Sequence, residues 1–186
     1  MVRTSWMAVF LAVYVSDGLG GGLYRLAPGA SVLEQLAGPA DFLSPQTPAL
    51  AASGRVLYVP DYLRGIALVE LASHTVRWLA HGDDVCLDGI DGLYLRGPRE
   101  LIAVQNGVEP ARLLRLRLDA AGERVSSVEV LARGGLLEDP THGALVAEDF
   151  VVLAHAGWSR IGDDGTPVAN APAEPPRLLR IPLGPR

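Results

Sequence analysis

No lysine occurs among the 186 residues; all sixteen basic residues are arginine. A GC-rich genome accounts for that bias without any functional cause, yet the bias has a chemical consequence. Schiff-base catalysis, a phosphate-loop lysine and a Ser-Lys dyad are all excluded. Cysteine is almost missing too. Cys86 stands alone, so no intrachain disulfide can form and the redox compartment stays unread. Its nearest basic neighbour in sequence is His81, which leaves the thiol inert. There is no Gly-x-Ser-x-Gly elbow and no His-Glu-x-x-His pair, and serine-hydrolase and metalloprotease readings fall with them. The formal net charge is −5 with the arginines dispersed, which gives no footprint for nucleic acid. Sustained helical periodicity is lacking as well, because 21 glycines and 14 prolines break the chain every few residues.

Long hydrophobic runs are also absent. The longest near the N-terminus, Trp6 to Val15, is too short to span a bilayer, so no membrane segment is expected. It resembles a signal-peptide apolar region, but no small-residue cleavage pattern follows. Ser16-Asp17-Gly18 continues into a strand–turn–strand unit, and a strand is the expectation for this run.

What the chain does have is a recurring pair of apolar runs. The outgoing members are 10–15, 56–59, 101–104 and, more loosely, 150–153, followed by Asp17, Asp61, Asn106 and Ala156 at steps of 44, 45 and 50 residues. Each is answered by a second run, at 22–26, 66–71, 113–118 and 178–181. In the third of these, Leu114, Leu116 and Leu118 alternate with Arg115 and Arg117, the two-residue period of a sheet with one buried and one wetter face. A period of about 40–50 residues with several short strands per unit is the mark of a β-propeller blade.

The fold class expected is therefore all-β, a single partial propeller domain over 1–186. Its four blades fall near 5–38, 45–82, 88–133 and 140–184. Blade two is expected to run 48–52, 56–59, 65–71 and 75–79; blade three 90–95, 100–104, 112–118 and 125–131. Blade one lacks a clear inner strand and blade four ends at its third. Four blades are few for closure, so the chain is expected to be an N-terminally shortened six-bladed protein that either self-associates through its open faces or is a gene fragment that folds poorly. Each apolar side chain left uncovered there would forfeit about 1.5–3 kcal/mol.

Four segments then carry a resemblance: Leu57 to Ile66 (LYVPDYLRGI), Leu87 to Tyr94 (LDGIDGLY), Leu101 to Gly107 (LIAVQNG) and Leu113 to Asp119 (LLRLRLD). In order and spacing they resemble the six-bladed propellers of the gluconolactonase / senescence marker protein / regucalcin superfamily. That resemblance implies a divalent cation in a central channel, calcium or zinc, held by a Glu, an Asn and an Asp. In enzymatic members it implies hydrolysis of a sugar or other lactone. Asp88-Gly89-Ile90 fits the place of a channel ligand, with Asp91-Gly92 as the alternative register. The corresponding pair is His142-Gly143 in blade four and Thr47-Pro48, which offers no ligand, in blade two. The family's Glu has no matching position. The implied metal set is thus Asp88, Asn106 and His142, with Asp88 and His142 as the catalytic pair.

Each of these residues also has a purely structural reading. Asp88 and Asp91 are turn formers ahead of a strand, and Asp61 and Asn106 close second strands. Asp61, Arg64, Asp91, Asn106, His155 and Trp158 are alternatively the rim of the channel, where substrate would touch. His142 and His155 belong to the last blade, and imidazoles near a carboxylate can hold zinc or act as general base. Gly18 to Gly22 follows a strand, but no helix N-terminus comes next to hold a phosphate, so it is a hairpin turn. Asp163-Asp164-Gly165 lacks the downstream Glu of a calcium loop and is a plain turn. As it stands the chain is expected to bind a small molecule or a protein without chemistry, using loops such as 158–176. The alternative is a metal-dependent lactone hydrolase. Substrate, compartment and oligomeric state have no signature here.

Overall fold

In the computed structural model, which describes residues 12–162, 164–170 and 174–185, the chain is built almost wholly of antiparallel strands. They form four sheets in sequence order. The first holds β1 (Val13–Asp17), β2 (Gly22–Leu26) and β3 (Glu34–Ala37). The second holds β4 (Ala49–Leu50), β5 (Val56–Asp61), β6 (Gly65–Glu70) and β7 (Val76–Trp78). The third holds β8 (Ile90–Gly97), β9 (Glu100–Gln105), β10 (Arg112–Leu118) and β11 (Val125–Arg133). The fourth holds β12 (Gly143–Val146), β13 (Asp149–His155) and β14 (Arg177–Pro182). Within each sheet every strand pairs only with its neighbours in sequence, an up-and-down meander of the kind a propeller blade uses.

Strand composition explains why these segments pair. β5, β6, β9 and β10 are rich in Val, Leu and Ile and hold no internal glycine, so their side chains pack well on a pleated surface. Their ends are set by turn chemistry. Asp61 Oδ1 accepts from the Leu63 amide at 3.0 Å and the Arg64 amide donates to the Asp61 carbonyl at 3.2 Å. Gly65 then takes a φ of +90°, a value closed to most side chains, and β6 begins.

The sheets stack face to face in order, and the alternation along each strand sends successive residues into different cores. In β5, Leu57 and Val59 pack toward the first sheet, against Leu23, Leu36 and Phe42. Tyr58 between them points the other way, joining Ile66, Leu68, Leu114 and Leu116 in the core shared with the third sheet. The same division recurs one sheet on. Leu114, Leu116 and Leu118 face the second sheet, while Leu113, Ile102 and Val104 meet Phe150 and Val152 of the fourth.

This stacking corrects the expectation that β10 has one buried and one wetter face. Arg117 is exposed, but Arg115 is only 7% exposed. The fourth sheet covers that face, and the guanidinium is retained by a 2.7 Å pair with Glu129 and by donation to the Leu183 carbonyl at 2.6 Å. A buried cation is tolerable when paired and hydrogen-bonded in this way.

At the outer sheets, Val13 and Val15 in β1 and Val146 and Leu178 in the fourth sheet are exposed. Most of the run expected to start the first blade, Trp6 to Val15, lies outside the described residues, as does Asp163 of the Asp-Asp-Gly turn. Between β13 and β14, Trp158–Arg160 forms a single 3₁₀ turn, followed by an isolated bridge between Ile161 and Pro167. Among the described residues no helix is long and apolar enough to cross a membrane.

Candidate functional site

The repeat has a structural anchor that is not quite the one its spacing indicates. The last residues of β1, β5, β9 and β13 are Asp17, Asp61, Gln105 and His155, so the third and fourth lie one residue before Asn106 and Ala156. The last three are polar and buried. Each ties its strand to the loop that precedes its sheet. Asp61 Oδ2 accepts from the amides of Leu43 at 2.7 Å and Ser44 at 3.0 Å. Gln105 Nε2 donates to the carbonyls of Cys86 at 3.1 Å and Asp88 at 2.6 Å, while its Oε1 accepts from Arg112 at 2.6 Å. Burial of Asp61 and Gln105 is sustained because these partners replace the lost water. His155 lies against Glu138 and Asp139, but neither of its ring nitrogens makes a directed hydrogen bond among the described residues.

These ties bring three loop pairs together around a cavity of about 490 Å³. Ser44 and Gln46 come from the loop before the second sheet, Asp91 from the start of the third, and Glu138 and Asp139 from the loop before the fourth. Tyr62, Asn106 and Trp158 come from the turns that follow β5, β9 and β13. Among the described residues the lining holds three carboxylates and no basic side chain.

Asp91 is the centre of the arrangement, and its position follows from a defect in the ladder. Ile90 pairs with Gln105 and Gly92 with Val104, so Asp91 is the extra residue of a β-bulge. A bulge re-aims a side chain out of the strand's alternation. Asp91 Oδ2 accepts from Thr141 Oγ1 at 2.5 Å and from Asn106 Nδ2 at 3.1 Å. Asn106 Nδ2 also donates to the Pro140 carbonyl at 2.8 Å, and its Oδ1 accepts from Tyr62 Oη at 2.9 Å. Burial, and secondarily the charge of Asp91, raise the Tyr62 phenol above its ordinary value, so it stays a protonated donor at neutral pH. Asp91 Oδ1 has no hydrogen-bond partner among the described residues.

Glycine permits the loops to meet. Gly89 has φ +71°, and a Cβ there would lie 2.6 Å from Gly107 Cα. The Gly107 amide donates to the Gly89 carbonyl at 3.0 Å, and the Gly89 amide to the Tyr62 carbonyl at 2.8 Å. Three segments distant in sequence are thereby fastened backbone to backbone behind Tyr62 and Asn106.

The other candidates are placed as follows. Asp88 is exposed, lies outside the cavity lining, and uses its carbonyl to receive Gln105. His142 is exposed, with Nδ1 at 3.3 Å from Thr47 Oγ1. Asp61 is fully buried in its loop tie, and Arg64 is exposed, donating to the Asp41 carbonyl at 3.2 Å. Trp158 is 59% exposed at the cavity edge. Asp139 fixes its backbone by accepting from the amides of Ala156 at 2.8 Å, Gly157 at 2.7 Å and Trp158 at 2.8 Å. The sequence marks none of Tyr62, Thr141, Ser44, Gln46, Glu138 and Asp139; Tyr62 directly follows the repeated strand end Asp61, while the other five lie in loops before the second and fourth sheets and carry no repeat signal.

The donor set does not fit the calcium shell that the family resemblance implies. Asn106 turns its amide nitrogen, not its oxygen, toward Asp91, and Asp91 spends one oxygen on that contact and on Thr141. Of the implied ligands, Asp88 and His142 lie outside the cavity lining, and at Asp91, the alternative register, one carboxylate oxygen is left, where calcium takes six to eight oxygens.

No protein-family model matches the sequence, and no curated protein matches it. Solved structures do. TolB from Acinetobacter baumannii superposes with a TM-score of 0.54 at 13% identity, over 76% of this chain and 34% of its own. The PQQ-bound aldose sugar dehydrogenase from Streptomyces coelicolor gives 0.51 at 13% identity, over 88% and 52%. The WD40 repeats of RRP9 give 0.50 at 14% identity, over 77% and 41%. The chain thus spans between 34% and 52% of the length of these neighbours. At such identities the likeness speaks to architecture, and together with the four stacked meanders it makes this an all-β chain of the β-propeller type.

Proposed function

We propose that this chain is a binding propeller whose cavity takes a small, neutral, hydroxyl-rich molecule. The observation that carries the reading is Asp91, pushed out of its strand by a bulge with one oxygen uncommitted, facing a cavity edged by the Trp158 indole. Hydroxyl groups would donate to Asp91 and exchange hydrogen bonds with Ser44, Gln46 and the Tyr62 oxygen, while an apolar ring face would lie on the indole. Three carboxylates without a basic residue disfavour anions.

Kinship with the gluconolactonase-like superfamily is the finer reading. It is supported by the motifs at 57–66 and 87–94, and it makes sugar-type lactones natural members of the ligand class. Lactone hydrolysis is the alternative function. It asks for a metal shell, and the positions of Asp88, Asn106 and His142 lend it no support, so binding is the better account.

A thermal-shift panel of neutral sugars, sugar lactones and the matching sugar acids tests the proposal. Neutral members are expected to raise the melting temperature, and Asp91→Ala and Trp158→Ala to abolish the rise. A panel in which only acids stabilise, or none does, overturns it. Proton release from the lactones in the same samples would favour the hydrolase instead.

A further inference from the structure

Beside the cavity lies a second cluster that the polar network does not use. Glu138, His155 and Glu174 each bring one ligand atom to within 4.8 Å of the others. His155 is 7% exposed, and neither of its ring nitrogens has a directed hydrogen bond among the described residues. Carboxylates nonetheless crowd it. Nδ1 is 2.9 Å from Asp139 Oδ1 and 3.2 Å from Glu138 Oε2, and Nε2 is 3.7 Å from Glu174 Oε2. A buried imidazole with both nitrogens unused is costly, and carboxylates at both of its nitrogens gather negative charge around it. A bound cation relieves both.

We propose that Glu138, His155 and Glu174 form a site for a divalent transition metal, zinc by preference, with water completing the shell. Asp139 is not counted as a ligand, because its oxygens already receive the amides of Ala156, Gly157 and Trp158. Arg177 Nη1 holds Glu138 Oε1 at 3.0 Å, which leaves Oε2 turned toward His155. Zinc ligands stand about 2.0–2.2 Å from the metal, so the two glutamates must close in. The Glu174 side chain is 56% exposed and has room to do so, while Glu138, 46% exposed, can approach through Oε2 with its Arg177 pair kept on Oε1. One imidazole with few oxygens favours zinc over calcium or magnesium. Glu174 precedes β14 and Glu138 also lines the cavity, so the metal would pin the segment after Trp158 against the end of β13.

The test uses the full chain with zinc alone, followed by metal analysis after dialysis and by melting temperature against free zinc. About one equivalent per chain and a concentration-dependent rise in melting temperature are expected. Glu174→Gln, on an exposed side chain, should weaken uptake by roughly tenfold or more without changing the metal-free melting temperature. His155→Gln should abolish uptake, and Cys86→Ser should keep it. No retained zinc in the parent chain, unchanged uptake in Glu174→Gln, loss in Cys86→Ser, or an equal shift with calcium would each overturn the site.

Discussion

Replacing Asp61 by alanine is the sharpest probe of how the loops are held. The side chain is fully buried and accepts three backbone N–H groups, from Leu43 at 2.7 Å, Ser44 at 3.0 Å and Leu63 at 3.0 Å. A hydrogen bond to a charged group is worth about 1.5–3 kcal/mol, but these three share one carboxylate and do not add. Leu43 is exposed and Ser44 half-buried, so water can recover part of the loss. The expected destabilisation is about 3 kcal/mol, set by the cost of leaving buried donors unpaired. Against the roughly 5–15 kcal/mol by which domains are stable, that is a large fraction. Asp61→Asn should lose less, since an amide oxygen can still serve Leu43 and Ser44 while its NH₂ faces the Leu63 donor. Urea unfolding followed by circular dichroism measures both, the midpoint falling at constant slope. If Asp61→Ala lies within about 0.5 kcal/mol of the parent, the range of an ordinary surface substitution, the strand-end ties do not hold the loops.

Gly89→Ala would place a Cβ 2.6 Å from Gly107 Cα at a φ of +71°, and should cost about 1–3 kcal/mol in the same urea assay while weakening ligand binding through Tyr62 and Asn106. Tyr58, Tyr62 and Tyr94 are all raised above the ordinary tyrosine value, chiefly by burial. The stability this contributes is fully present below about pH 10 and is lost as pH climbs through the higher folded values. Melting temperature should therefore fall above pH 10, and Tyr62→Phe should blunt the fall. Leu113→Ala opens the core between the third and fourth sheets at a fully buried residue, and should cost about 2–5 kcal/mol by calorimetry.

The blade strands were legible because apolar alternation and turn residues speak locally. Val56 to Val59, Gly65 to Leu71 and Arg112 to Leu118 needed little beyond period and punctuation. Burial of Arg115 was not legible, since it depends on a neighbouring sheet whose Leu183 carbonyl and Phe150 ring lie far along the chain. The repeat spacing falls one residue late on Asn106 and Ala156: at Gln105-Asn106 the sequence offers two polar residues without showing which turns inward, and at His155-Ala156 the loose last step of 50 residues passes over the buried His155. Asn106 and Asp91 were both named, but their meeting depends on a bulge, and nothing in Ile90-Asp91-Gly92 separates a bulge from a plain turn. Glu138, Asp139 and Trp158 reach the cavity through loops held by Asp139 and His155, contacts that have no fixed sequence spacing.

If the re-aimed carboxylate of Asp91 decides what the cavity accepts, titration calorimetry of a neutral sugar lactone against its ring-opened sugar acid tests it most directly. The parent chain should bind the lactone with an affinity insensitive to salt and the acid roughly tenfold more weakly, about 1.4 kcal/mol. Asp91→Asn should close most of that gap. Equal affinity for the two ligands in the parent chain, or a gap that Asp91→Asn leaves untouched, would contradict the account.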